Sequence, residues 1–91
     1  MPVPEIDVRQ QDEYEEFHVP GAVLIPLDEL AERVDEVPAV DRVYVICKTG
    51  SRSYRACEFL EDQGLEGINV EGGTMAWIIS GRTTVAGDQP A

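Results

Sequence analysis

Cys47 stands directly after the run Val43-Tyr44-Val45-Ile46 and directly before Lys48-Thr49-Gly50-Ser51-Arg52-Ser53. The run behind it is β-branched and aromatic, the composition of a strand. The residues ahead form a turn-prone loop and the start of a helix predicted over residues 52–63, with Gly64 closing it. A cysteine at such a junction is surrounded by successive backbone N–H groups and faces the positive end of the helix. Both favour thiolate over thiol, and Lys48 and Arg52 reinforce them. Gly50 permits tight curvature, and Ser51 or Ser53 is placed to cap the helix. A thiolate inside an anion cradle suits two chemistries, sulfur transfer from a sulfur oxyanion and hydrolysis of a phosphate ester.

The charge distribution agrees with an anionic ligand. The 91 residues carry a formal charge of −11, which argues against nucleic acid or an anionic membrane as a partner. Yet no acidic residue falls between Asp41 and Glu58, while Arg42, Lys48, Arg52 and Arg55 all do. The second cysteine, Cys57, lies mid-helix beside Ala56, on the side that also carries Leu60, and reads as a core residue. No metal spacing is present and a disulfide would be unusual in the cytoplasm, so free thiols are expected.

The elements that must hold Cys47 follow from the pattern of the rest of the chain. Residues 5–8 alternate as a short strand. Residues 11–17 read as a polar helix with Tyr14 and Phe17 on one face, broken by Val19-Pro20-Gly21. Ala22 to Ile25 is a compact buried strand, and Leu27, Leu30, Ala31 and Val34 recur at helical spacing. After the strand and helix around Cys47 come a short strand at 68–70 and a short helix bearing Met75, Trp77 and Ile78. From Gly81 onward small and polar residues suggest a frayed tail. Strands alternating with helical segments imply a parallel sheet covered on both faces, with the binding site beyond the carboxyl ends of the strands, where Cys47 falls. The length allows a single domain. No apolar run approaches the roughly 20 residues of a membrane span. The N-terminus has neither the basic patch nor the apolar stretch of a signal peptide, so a cytoplasmic location is expected.

Cys47-Lys48-Thr49-Gly50-Ser51-Arg52-Ser53 resembles the active-site loop of rhodanese-like domains: Cys, two variable residues, Gly, one variable residue, Arg, Ser. Asp7-Val8-Arg9, Glu13-Tyr14 and His18-Val19-Pro20-Gly21-Ala22 are similar to the family's amino-terminal landmarks. Glu71-Gly72-Gly73 followed by Ala76-Trp77 is similar to its carboxyl-terminal one. The order and spacing of these motifs carry the resemblance over nearly the whole chain.

The resemblance implies a three-layer α/β fold, its mainly parallel sheet flanked by helices. Family domains begin with a strand and helix before the Asp-Val-Arg strand, and this chain starts almost at that strand. A sheet of four strands is therefore expected, five at most, with one exposed edge that a partner subunit could cover in a monomer or homodimer. The expected domain spans residues 1–83, with a flexible tail at 84–91.

The resemblance also implies that Cys47 accepts sulfane sulfur from a donor such as thiosulfate, as a persulfide, and passes it to cyanide or a thiol. Lys48, Thr49, Gly50, Ser51, Arg52 and Ser53 would hold the substrate; no metal or cofactor is expected. Members acting on phosphate have one more residue in this loop, and the loop from Cys47 to Arg52 is the shorter type. Asp7 and Arg9 are expected to be framework residues, with Arg9 a candidate partner of Glu13. His18 is expected to be a structural hydrogen-bonding residue and Trp77 a core plug. Phe17 replaces the glycine that commonly precedes the histidine. The alternative functions are a non-enzymatic interaction module and a persulfide carrier for a dedicated protein partner.

Overall fold

The computed structural model describes residues 4–38 and 40–91. Residues 1–3, within the expected domain and the N-terminal stretch read above, lie outside the described residues. Four strands, β1 (Glu5–Asp7), β2 (Val23–Leu24), β3 (Val43–Ile46) and β4 (Gly67–Asn69), form one sheet in the order β2-β1-β3-β4. Every pairing is parallel, with Ile6 opposite Val23 and Val45, and Tyr44 opposite Ile68. Among the described residues no helix is long and apolar enough to cross a membrane.

Parallel strands must bury both faces, and side-chain alternation divides the core accordingly. Ile6, Val43 and Val45 point to one face and pack against Ala56, Cys57 and Leu60 of the longest helix, Ser51–Asp62. On the other face Ile46 joins Val19, Ala22 and Val70 around Trp77, which belongs to the short helix Gly73–Ile79. With Gln11–Glu16 these helices are α1, α2 and α3 in chain order: α1 (Gln11–Glu16), α2 (Ser51–Asp62) and α3 (Gly73–Ile79). The three-layer α/β architecture expected from the sequence is the one observed.

The helix expected over Leu27 to Val34 does not form. The segment makes two 3-10 turns, Leu27–Glu29 and Val34–Glu36. A continuous helix there would stack Asp28 on Glu32, like charges four apart. Of the residues from Leu27 to Val34, Leu30 alone is fully buried, so little packing offsets that repulsion. Arg33 reaches back to the Leu24 carbonyl (3.3 Å) and to Glu29, and forward to Glu36.

The stretch 84–91, expected to be a flexible tail, makes backbone hydrogen bonds to the rest of the fold. Val85 forms an antiparallel bridge with His18, and the Gly87 N–H donates to the Glu15 carbonyl at 2.8 Å. The Gly21 N–H donates to the Pro90 carbonyl at 2.7 Å. Hydropathy could not reveal this segment because its contacts are backbone hydrogen bonds, which any small polar sequence can make.

Candidate active site

Three ends converge on the carboxyl edge of the sheet: the end of β3 at Cys47, the amino end of α2, and the turn from β4 into α3. Cys47 is 1% exposed. Gly50 adopts a left-handed conformation (φ 117°) that turns the loop back, so its N–H donates to Cys47 Sγ at 3.0 Å. Ser53 Oγ lies 3.3 Å from the same sulfur. Burial pushes the Cys47 thiol up. The Ser53 hydroxyl and the N–H groups of Ser53, Gly50 and Thr49 outweigh it and leave the thiol below its ordinary value. Backbone donors around this sulfur were expected from the residue types, and the Gly50 N–H is among those the structure places there.

The loop is held from outside by the start of α3. The Thr74 N–H and hydroxyl both donate to the Cys47 carbonyl, at 2.9 and 3.0 Å, and the Met75 N–H donates to the Lys48 carbonyl at 3.1 Å. These bonds turn the loop's carbonyls away from the sulfur. They require a close approach that only glycine allows: a Cβ on Gly73 would lie 2.5 Å from the Cys47 carbonyl oxygen and 2.6 Å from that of Lys48.

The sequence-predicted loop residues take different places. Lys48 and Thr49 are exposed at its rim, Ser51 is exposed at the first position of α2, and Ser53 is buried beneath the sulfur. Neither serine caps the helix, and Gly50 occupies the cap position. Ser53 Oγ faces the Gly50 carbonyl (3.1 Å), the sulfur and Asn69 Oδ1 (2.5 Å), because the turn at Gly50 aims it at the loop rather than at the helix's own N–H groups. Cys57 is a free thiol in the core, raised by burial first and by Glu61 second.

Arg52 is not an unpaired cation. Its guanidinium forks onto Glu13 of α1, with N···O distances of 2.7 and 3.0 Å. Arg42 lies 3.6 Å from Glu66. Of the four cations in the acid-free window, Lys48 and Arg55 make no ion pair among the described residues. The expected Arg9–Glu13 pair is likewise replaced: Arg9 binds Asp7, Nη2 to Oδ2 at 2.8 Å, with both side chains buried. Arg9 also donates to the Phe17 carbonyl at 2.8 Å. Asp7 ends β1 and Arg9 stands in the bend just beyond it, where its backbone N–H and guanidinium both reach the Asp7 carboxylate, which leaves Glu13 for Arg52.

The chain matches the sequence model of the rhodanese-like domain over residues 3–80. It belongs to the rhodanese-like domain family. Two curated relatives and one solved structure illustrate the kinship. The putative sulfurtransferase YtwF of Bacillus subtilis is 42% identical over 73 residues, 79% of this chain and 70% of the relative. Thiosulfate sulfurtransferase PspE of Escherichia coli is 41% identical over 70 residues, 75% of this chain and 67% of PspE. The crystal structure of a rhodanese-related protein from Thermoplasma volcanium superposes with a TM-score of 0.86 at 35% identity, covering 91% of this chain and 83% of that one. These relatives support sulfur transfer in general.

In this rhodanese-like chain His18 sits buried against α1. Its ring stacks on Tyr14 at 3.6 Å, Nδ1 lies 2.8 Å from the Tyr14 carbonyl, and Nε2 lies 2.8 Å from the Gln89 carbonyl. Trp77 packs on the second core cluster, donates to the Thr83 carbonyl at 2.7 Å and carries Arg82 over its ring. Sequence reasoning missed Asn69 and the role of Gly73 and Thr74 as props of the loop. An asparagine in a short strand, at the same sheet edge as the cysteine, was an available signal, because strands disfavour that residue.

Proposed function

We propose that this rhodanese-like domain is a sulfurtransferase moving sulfane sulfur from thiosulfate or a persulfide donor to cyanide or a thiol. The observation that carries the reading is the Cys47 cradle, with Gly50 N–H at 3.0 Å and Ser53 Oγ at 3.3 Å from a thiol held below its ordinary value. The Cys47 thiolate attacks the outer sulfur of thiosulfate. A new S–S bond forms, the old one breaks, and sulfite leaves with the electron pair. The loop N–H groups then face the terminal sulfur of the persulfide and spread its charge. Cyanide or a thiolate attacks that sulfur, giving thiocyanate or a new persulfide, and Cys47 departs as thiolate. Lys48, Thr49, Gly50, Ser51, Arg52 and Ser53 would hold the donor, and the free thiols suit the reducing cytoplasm.

A second reading is a persulfide carrier serving one protein acceptor. Two observations favour it: Arg52 is already neutralised by Glu13, and the chain as a whole carries a charge of −11. Both weaken attraction for a small dianion and suit a basic partner surface. Steady-state thiocyanate production from thiosulfate and cyanide separates the readings. Turnover supports the enzyme; persulfide formation without turnover on small acceptors overturns it in favour of the carrier.

A further inference from the structure

Ser53 Oγ carries one proton and faces three acceptors: Cys47 Sγ when ionised, the Gly50 carbonyl and Asn69 Oδ1. The Gly50 carbonyl is already served by the Tyr54 N–H (3.1 Å) and by Asn69 Nδ2 (3.2 Å). That second bond fixes the asparagine, because a flipped amide would set its oxygen against the Gly50 carbonyl oxygen. Asn69 Oδ1 therefore points at Ser53, which is its sole hydrogen-bond partner among the described residues. With the proton shared toward Asn69, Ser53 offers sulfur a lone pair, which suits a thiol S–H. A thiolate needs the reverse, so Ser53 must turn its proton from Asn69 to sulfur.

We propose that Asn69 is a positioning residue that sets the acidity of Cys47 through Ser53, by competing with the sulfur for the single Ser53 proton. Ionising Cys47 then costs the Asn69–Ser53 hydrogen bond. The competition restrains a cradle that would otherwise make the thiolate too stable. A thiol whose acidity lies near ambient pH attacks best, since nucleophilicity falls as acidity rises. The inference rests on Cys47 as sulfur carrier, but its test needs no sulfur donor.

The experiment is the pH dependence of iodoacetamide alkylation in a Cys57→Ser background, where Cys47 alone reports. The charged groups around the loop are Lys48, Arg52 with Glu13 from α1, and Asp7 at the end of β1 with Arg9 just beyond it; all stay constant across the variants. Asn69→Leu releases the Ser53 proton to sulfur, and the apparent Cys47 pKa falls, giving roughly three- to tenfold more thiolate at a fixed pH below it. Asn69→Asp keeps the acceptor, adds charge and moves it upward. In Ser53→Ala, adding Asn69→Leu changes nothing. An unchanged or raised pKa in Asn69→Leu, or the same fall without Ser53, overturns the proposal. Should Asn69→Leu fail to fold by circular dichroism, Asn69→Ala gives the same two readings. Loss of the shift with sulfur transfer intact defeats this inference alone, and a clear shift in a chain that transfers no sulfur defeats only the functional reading.

Discussion

Arg52 and Glu13 join α2 to α1 as a two-pronged ion pair, 2.7 and 3.0 Å across, with each side chain about one-third exposed. It ties the helix that follows the Cys47 loop to the first helix of the fold. Forked pairs of this kind are the stronger class of ion pair.

The pair has two separable consequences. The Arg52 hydrogen bond leads in pulling the Glu13 carboxyl down from 4.5 to about 2. A carboxyl depressed by folding adds stability above its unfolded value, and that stability is lost as pH falls from about 4.5 toward 2. Glu13→Gln should lower stability near neutral pH by about 1 kcal/mol, given partial solvent screening, and flatten the acid limb of the thermal-unfolding curve. It also frees Arg52, so KM for thiosulfate should fall, whereas Arg52→Ala should raise it by more than its stability loss explains. Movement of KM in the same direction in both variants would mark the pair as structural only.

Gly73 should tolerate no side chain. Its φ is 59°, and a Cβ there would overlap the backbone of Cys47 and Lys48. Gly73→Ala should cost about 2–4 kcal/mol and raise the Cys47 pKa as the loop is displaced. Gly21, at φ 91° with open space where a Cβ would project, provides the comparison. Gly21→Ala bears conformational strain alone, about 1 kcal/mol. Calorimetry on both decides; equal losses would remove close approach as the cause.

Glu5 gives the fold a dependence on pH of the opposite sign. Burial first, and Asp7 second, raise its carboxyl from 4.5 to about 7. The folded state then holds a proton that the unfolded chain has released, so stability declines as pH rises from about 4.5 through 7. Glu5→Gln should stabilise by about 1 kcal/mol at pH near 8, after discounting for partial exposure, and by nothing near pH 4. That corresponds to a rise in Tm of about 4–8 °C at the higher pH. An equal gain at both pH values would contradict the assignment.

The fold and the cysteine loop were legible because their signals are local. The run from Val43 to Ile46, the cysteine at its end and the glycine three residues on specify the strand, the place of the thiol and the turn almost without reference to the rest of the chain. What escaped depends on contacts between distant residues. Glu13 and Arg52 are 39 positions apart and Ser53 and Asn69 are 16 apart, and no periodicity links either pair. The absent helix after Leu27 has a different cause. Its apolar spacing is genuine, but apolar periodicity does not register the mutual repulsion of the acidic residues between.

Intact-protein mass after incubation with thiosulfate tests the central claim most directly. Wild type and Cys57→Ser should gain the mass of one sulfur atom and lose it again on addition of cyanide, with thiocyanate appearing in step. Cys47→Ser should gain nothing. Sulfur retained by Cys47→Ser but lost from Cys57→Ser, or no gain in any of the three proteins, would contradict the account.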